Sequence, residues 1–511
     1  MMKLVQELMA KGYLIESDVL KTEFFKEIEK IDENLLVELI LESKPPKIIT
    51  KEFLLSKILF FIERLKNYKN EEILKLTSLL LEKYPKEEKK QEPAKEFSSR
   101  GVAIVKEYNF KTKKLEVEDF VNYFRERYKF FKSILQERNL EGLTSIGKIF
   151  GNRKNITIIG LVYEKRYTKN KNIILELEDL TGRISVIVNK EKKELFEKAS
   201  SVVLDEVIAV TGSSSGELFF ANDIIFPDIA INKLKYSPKD EYAVFIADLH
   251  VGSDKFLEEN FLKFISWING EIGNEEQKEI AKKVKYLFIV GDLVDSIGVY
   301  PTQEKELKIK DLYEQYRYCA ELLRKIRKDI AIIICPGNHD AVRLLEPQPK
   351  FDPEIAKELF ELENVILTTN PALVNIGKTE NFEGFNVLIY HGRSLDYYMD
   401  QVDCLRMANA KLSPSLVLNF LLKKRHLGPS YGSTTFLPEE DVLALKTVPD
   451  IVVTAHIHRS AILNYNGILA ISCSCFQSKT AYQEKLGHEP DFCKVCLFNL
   501  KTRKINLLDF G

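Results

Sequence analysis

Five short hydrophobic runs in the second half of the chain each end in residues that bind metals. They read Ala247-Asp248-Leu249-His250, Gly291-Asp292-Leu293-Val294-Asp295, Pro336-Gly337-Asn338-His339-Asp340, His391-Gly392-Arg393 and Ala455-His456-Ile457-His458, spaced 44 to 65 residues apart. Five of the seven histidines lie in these motifs. A carboxylate and an imidazole two residues apart at a strand end share one face and can share one metal. Carboxylates, imidazoles and an amide from several strands make two metal sites joined by a bridging carboxylate. Such a pair of metals activates water and clamps a phosphate ester for in-line attack.

The expected first set is Asp248, His250, Asp292 and His458. The expected second set is Asp292, Asn338, His391 and His456, with Asp292 as the bridge. A set this rich in imidazole favours manganese, iron or zinc over magnesium, so two divalent ions, manganese first, are the expected cofactors. His339 is left over as a proton donor to the leaving oxygen, oriented by its neighbour Asp340. Arg393 and Ser394 are placed to contact a phosphate oxygen.

The elements that must hold these residues are short buried strands, expected at 242–247, 286–290, 330–335, 386–390 and 451–454. Helical patterns at 257–267, 275–285 and 312–328 separate the first three. Mixed sheets flanked by helices result, with ligands gathered at the carboxyl ends of strands. The segment 396–445 interrupts the pattern and carries Lys423, Lys424 and Arg425. It reads as a solvated cap, or as a lid whose basic strip guides nucleic acid.

Upstream, residues 117–238 hold an aromatic helical lead-in and then strand, strand, strand, helix, strand, strand, the order of an OB-fold barrel. Lys165, Arg166, Lys169 and Lys171 are expected in a loop before the second strand, either simply solvated or available to single-stranded nucleic acid. Residues 1–83 show helical spacing, as in Leu4 and Leu8 or Leu36 and Ile40, and read as a small helical domain. Residues 84–116 begin with a charged, proline-bracketed run and read as a linker.

Composition sets the outer limits. At 511 residues several cores are needed. The net charge of −1 excludes a uniformly basic surface, so nucleic acid would bind at a local patch or at metals. No run of 18 apolar residues and no signal-peptide pattern is visible, so no membrane partner and a cytoplasmic location are expected. The excess of lysine over arginine suits a thermophile and equally an A/T-rich genome. Cys473, Cys475, Cys493 and Cys496 could form a zinc site or be free core thiols.

The five motifs resemble the calcineurin-like metallophosphoesterase superfamily. Within it, the stretches 292–304, 336–341, 390–396 and 476–483 resemble the small subunits of archaeal family D DNA polymerases. The resemblance covers about residues 140–511, and the N-terminal third matches in layout only. It implies a 3′→5′ exonuclease acting on a single-stranded DNA 3′ end, proofreading for a separate large polymerase subunit, with the sliding clamp as a further partner. Two departures are Ser296 and Thr302, where the family often carries glycine. Two rival readings share parts of this pattern. A small-molecule metallophosphatase would have the same site but no use for an OB barrel. A pure scaffold subunit predicts lost ligands, and here every ligand position is filled.

Overall fold

The computed structural model describes residues 2–15, 37, 40–42, 48–49, 96–97, 101–108, 114–138, 140–433, 436, 439–485 and 487–511. The chain divides into two compact units, Met1–Pro93 and Ala94–Gly511. In the first, helix α1 (Met2–Ala10) precedes a parallel pair of two-residue strands, β1 (Leu14–Ile15) and β2 (Ile48–Ile49). That pair was not expected from the helical spacing. Most of the helical pattern read over 1–83 lies outside the described residues.

The second unit opens with β3 (Glu96–Phe97) and β4 (Val102–Lys106), followed by α2 (Val117–Gln136). The expected linker is therefore corrected over its second half. Val102 and Ile104 are buried, and β4 pairs antiparallel with a strand 270 residues away in register Ile376↔Val102 to Leu373↔Lys106. An alternating apolar run this short can stay ordered only because a distant sheet edge supplies its hydrogen bonds.

Strands β5 (Arg153–Tyr167), β6 (Ile173–Asp179), β7 (Gly182–Val188), β8 (Val207–Ser215) and β9 (Leu218–Ile225) close into a five-stranded barrel, with α3 (Lys193–Ser200) between β7 and β8. This is the expected OB order. Helix α2 lays Tyr128, Phe131, Ile134 and Leu135 on the barrel wall against Ile159, Leu161, Val207 and Ala209. Their three- and four-residue spacing makes one apolar stripe.

Beyond the barrel come β10 (Tyr242–Ile246), α4 (Glu258–Ile268), α5 (Glu275–Lys282), β11 (Val284–Val290), α6 (Leu312–Arg324), β12 (Ala331–Cys335), α7 (Lys357–Phe360) and β13 (Val365–Leu367). Then follow β14 (Ala372–Ile376), β15 (Phe385–Tyr390), α8 (Leu395–Gln401), α9 (Asp403–Met407), α10 (Ser415–Lys424), β16 (Ile451–Thr454), β17 (Ala461–Tyr465), β18 (Ile468–Ser472), α11 (Ala481–Lys485), β19 (Lys494–Asn499) and β20 (Ile505–Asp509). They build a six-stranded sheet, β13-β12-β11-β10-β19-β20, and a seven-stranded sheet, β17-β18-β16-β15-β14-β4-β3.

Alternation within the strands decides the layering. Phe245, Phe288 and Ile333 meet Val374, Val387 and Val453 between the sheets. Val244, Leu287 and Ile332 face the opposite way, against Phe264 of α4 and Leu323 of α6. On the far side of the second sheet, Leu388 and Val452 pack on Leu418 and Leu422 of α10. The segment 396–445 is thus neither a solvated cap nor a free lid. Three of its helices form a packed outer layer with its own core.

The four cysteines of the zinc reading are divided among cores. Cys473 and Cys496 lie between the sheets and Cys493 on the helix side. All four are free thiols, and no metal-holding group among the described residues includes them. No helix among the described residues is long and apolar enough to cross a membrane.

Candidate metal centre

Strands β10, β11 and β12 run parallel in one sheet, and β15 and β16 run parallel in the other. Their carboxyl ends therefore open on one edge of the sandwich, where the five motifs follow directly. The loops are tied to each other by backbone bonds. Asp248 N donates to Gly291 O, His250 N to Asp292 O and Ala455 N to His391 O, at 2.9–3.1 Å. His456 N donates to the Asp248 carboxylate at 3.1 Å, and His339 N to Asp292 Oδ1 at 2.7 Å.

Five of the expected ligands, Asp248, His250, Asp292, His456 and His458, sit at φ between 49° and 71°. Non-glycine residues there are strained by about 1–3 kcal/mol each, a cost that the surrounding packing must offset. The conformation turns each side chain back over the strand end toward the shared pocket.

Three groups of side chains bring potential ligand atoms within 4.8 Å of one another: Asp248, His250 and His458; His250, Asp292 and His339; and Asp292, His391 and His456. His250 Nε2 lies 3.1 Å from His458 Nε2, and Asp292 Oδ2 lies 3.7 Å from His250 Nε2 and 3.3 Å from His391 Nε2. Asn338 Oδ1 is 3.1 Å from His391 Nε2. All seven expected ligands are brought together, with Asp292 between the two sets.

The surroundings suit a cation. Asp248 Oδ1 is buried and accepts no hydrogen bond among the described residues, with His458 Nε2 at 3.5 Å and His250 Nε2 at 4.0 Å. Uncompensated, a buried carboxylate oxygen of this kind is costly. The glycines before two of the motifs leave room for the donors. A Cβ on Gly337 would stand 2.2 Å from Asp292 Oδ1, and one on Gly291 2.3 Å from His391 Nδ1. The residues present thus fit a pair of divalent ions.

Outer partners orient the imidazoles. His250 Nδ1 lies 2.9 Å from Asp295 Oδ1, His391 Nδ1 3.0 Å from Val290 O, and His456 Nε2 2.9 Å from Asp396 Oδ2. Such contacts set the tautomer that leaves the other nitrogen for a metal. Burial pushes the Asp292 carboxyl up, but His391 and the other imidazoles more than reverse this and hold it well below the usual carboxylate range. Burial pushes His391 down, and Asp292 outweighs it, raising the imidazole to about 10.

Two role assignments are corrected. Asp340 does not orient His339. Its carboxylate accepts from Gly337 N at 2.8 Å, Leu293 N at 3.2 Å and Tyr316 OH at 3.3 Å, bracing two loops. Burial and then the nearby Asp292 raise it to about 7. The orienting contact comes from Asp295, whose carbonyl oxygen lies 2.9 Å from His339 Nδ1. Ser394 cannot reach a phosphate. It is buried, its hydroxyl is bonded to Tyr390 OH, and its N–H goes to Glu346. Arg393 does line the pocket, and its buried Nε has no hydrogen-bond partner among the described residues.

The basic residues are largely corrected as well. Lys424 is 2% exposed, 2.9 Å from Glu206 of the barrel and over the Phe226 ring. Lys423 lies over the same ring, and Arg425 Nε donates to Leu445 O. The two lysines tie α10 to the barrel, and Arg425 ties it to its own outer layer, instead of forming a strip for nucleic acid. Lys165 and Arg166 belong to strand β5. Lys165 Nζ donates to Ser200 O and Val202 O, and Arg166 pairs with Glu176 at 3.3 Å. Lys169 and Lys171 remain exposed on the β5–β6 turn.

The pocket has a volume of about 220 Å³ and includes residues that sequence reasoning left unassigned. Tyr300, Asp396, Gln477, Tyr482, Gln483 and His488 line it beside the expected ligands. Gln477 bonds Asp295 at 3.1 Å, and the Gln483 amide lies 3.0 Å from His458 Nδ1. All of these but His488 lie within the family-like stretches 292–304, 390–396 and 476–483. That the segment beyond β18 reaches this pocket is visible only in three dimensions.

Residues 243–460 match the model of the calcineurin-like phosphoesterase family, and residues 156–215 match that of the OB-fold nucleic acid binding domain. The DNA polymerase II small subunit of Methanothermobacter thermautotrophicus is 41% identical over 78% of this chain and 80% of its own length. That of Archaeoglobus fulgidus is 39% identical over 83% of this chain and 84% of its own. That of Pyrococcus furiosus is 36% identical over 81% and 68% respectively.

Proposed function

The chain belongs to the family of archaeal DNA polymerase II small subunits, and from that membership we propose that it is a metal-dependent 3′→5′ exonuclease that proofreads for a large polymerising subunit. The observation that carries the reading is the pocket itself. Asp292 belongs to two of the three His/Asp groups, with His250 and His339 in one and His391 and His456 in the other, while Asp248, His250 and His458 form the third, and His339 lines the same pocket. The barrel is fixed to this domain within one compact unit, through buried pairs such as Arg127–Asp441 and Lys424–Glu206.

In this proposal Asp248, His250, Asp292 and His458 hold one divalent ion, and Asp292, Asn338, His391 and His456 the other, with manganese the preferred pair. When bound, such ions supply Lewis acidity that makes water nucleophilic at neutral pH and neutralises phosphate charge. The protein does the rest. Arg393 faces the terminal phosphate from the pocket wall. Asp295 holds the His339 ring through Nδ1, which leaves Nε2 to deliver a proton. Water attacks phosphorus and gives up a proton to solvent, the bond to the 3′ oxygen of the preceding nucleotide breaks, and His339 protonates that oxygen and regains its proton from solvent. A nucleoside 5′-monophosphate leaves and a new 3′ hydroxyl remains.

The test is digestion of 3′- and 5′-labelled mismatched primers with Mn²⁺, with and without the co-expressed large subunit. Loss of nucleotides from the 3′ end, abolished by Asp292→Ala and strongly reduced by His339→Ala, supports the reading. Preference for a phosphate monoester over an oligonucleotide would instead favour a small-molecule phosphatase.

A further inference from the structure

Tyr300 and Tyr482 come from distant parts of the chain and meet at the rim of the metal pocket. Their rings stack at 4.9 Å with an interplanar angle of 16°. The arrangement continues inward. Tyr300 lies 6.1 Å from the His339 ring, and His339 4.5 Å from the His250 ring. An aromatic series thus runs from the surface to the metal ligands. Glu306 fixes its outer end, accepting from Tyr300 OH and from Ala481 N, each at 3.1 Å. Tyr482 is 38% exposed, and Tyr300 is its sole ring contact among the described residues. Apolar Val299 and Leu344 line the same pocket.

We propose that the Tyr300–Tyr482 stack is a nucleobase platform, on which the terminal base of a DNA strand lies while its phosphate enters the metal pocket. The inference rests on the nuclease reading and adds what that reading lacks, a contact to the base. Every base has a π face, so aromatic stacking holds a strand end without reading its sequence. A proofreading enzyme must accept any of the four bases, and a flat ring meets that need better than directional hydrogen bonds. A ring pair serving only to join the α11 segment to the Tyr300 loop would stabilise the fold but would not distinguish a base from its absence.

The experiment uses the full chain with its co-expressed large subunit. Two oligonucleotides are compared, one ending in a normal 3′ nucleotide and one in an abasic 3′ nucleotide. A third, non-cleavable strand carries 2-aminopurine at the 3′ end. Wild type should favour the base-bearing end by about 5- to 150-fold in KM and should quench 2-aminopurine on binding. Tyr482→Leu should bring the ratio toward one and abolish the quench, and Tyr482→Phe should restore both. If wild type shortens DNA but neither discriminates nor quenches, or if Tyr482→Leu keeps both properties, the platform is overturned. If wild type shortens no DNA, the nuclease reading falls, and the quench alone then decides the platform.

Discussion

Asp295 Oδ1 lies 2.9 Å from Nδ1 of His250. The same carboxylate receives Gln303 Nε2 at 3.0 Å and Gln477 Nε2 at 3.1 Å, so two amides hold it and it in turn holds the ring of an expected ligand. Its backbone oxygen also lies 2.9 Å from His339 Nδ1. One residue outside the ligand set therefore orients both an expected ligand and the expected proton donor.

Asp295→Asn should therefore weaken the centre without removing a ligand. The expected result is a loss of about 10- to 100-fold in metal affinity, the usual cost of removing an outer carboxylate. Manganese titration monitored by binding and by nuclease rate measures it. An unchanged affinity would show that the contact is incidental.

Metal binding should release a proton. Without metal, burial lowers His391 but Asp292 more than compensates, so the imidazole stays protonated up to about pH 10. A ligand must be neutral, so binding expels that proton, and apparent affinity should rise about tenfold per pH unit through neutrality. Calorimetry in two buffers of different ionisation enthalpy reads the proton directly. Equal heats in both would refute the expectation.

The pair Arg127–Asp441 joins α2 to the outer helical layer at 2.6 Å, with both side chains almost fully buried. Burial pushes the Asp441 carboxyl up, but Arg127 and then His426 override it and hold it far below the usual range. Because the folded value is depressed, its contribution is fully present above the unfolded value of 3.8 and is lost as pH falls toward the folded one. Asp441→Ala should cost about 3–5 kcal/mol near pH 7, since it strands a buried guanidinium. In denaturant titrations its gap to wild type should narrow only below pH 3.8. A gap that already closes between pH 7 and 5 would exclude this linkage.

Thr302 has φ 71° and is exposed. A β-branched residue is strained there, by about 1–2 kcal/mol relative to glycine, and the added chain entropy of glycine returns only part of that. Thr302→Gly should therefore raise stability by about 1 kcal/mol. Ser296 also has a positive φ, 62°, but it is buried and not β-branched, so the expectation is confined to Thr302. A thermal midpoint unchanged or lowered in Thr302→Gly would argue that the loop relaxes around the threonine.

Much of this protein was legible without coordinates where local pattern suffices. The near-continuous apolar runs Val284–Val290 and Ala331–Cys335 mark buried strands, and each motif begins where such a run stops. The barrel order could be read because its strands and turns are consecutive in the chain. The reading failed where partners are remote. Val102–Lys106 looked like linker because its strand partner is Ala372–Ile376. Lys423, Lys424 and Arg425 looked like a surface strip because nothing local announces Glu206 and Phe226 for the lysines or Leu445 for the arginine.

The sequence by itself determined the donor set: which carboxylates, imidazoles and amide the chain can offer, and in what order along two sheets. Residue type and the period of a strand are local properties, so they survive the absence of a fold. Tertiary structure alone decided the roles. It gave His339 to Asp295 and turned Asp340 into a brace, because hydrogen-bond partners depend on distance in space and not on adjacency in the chain. It also set Tyr482 against Tyr300, where stacked rings line the pocket together with the expected metal ligands.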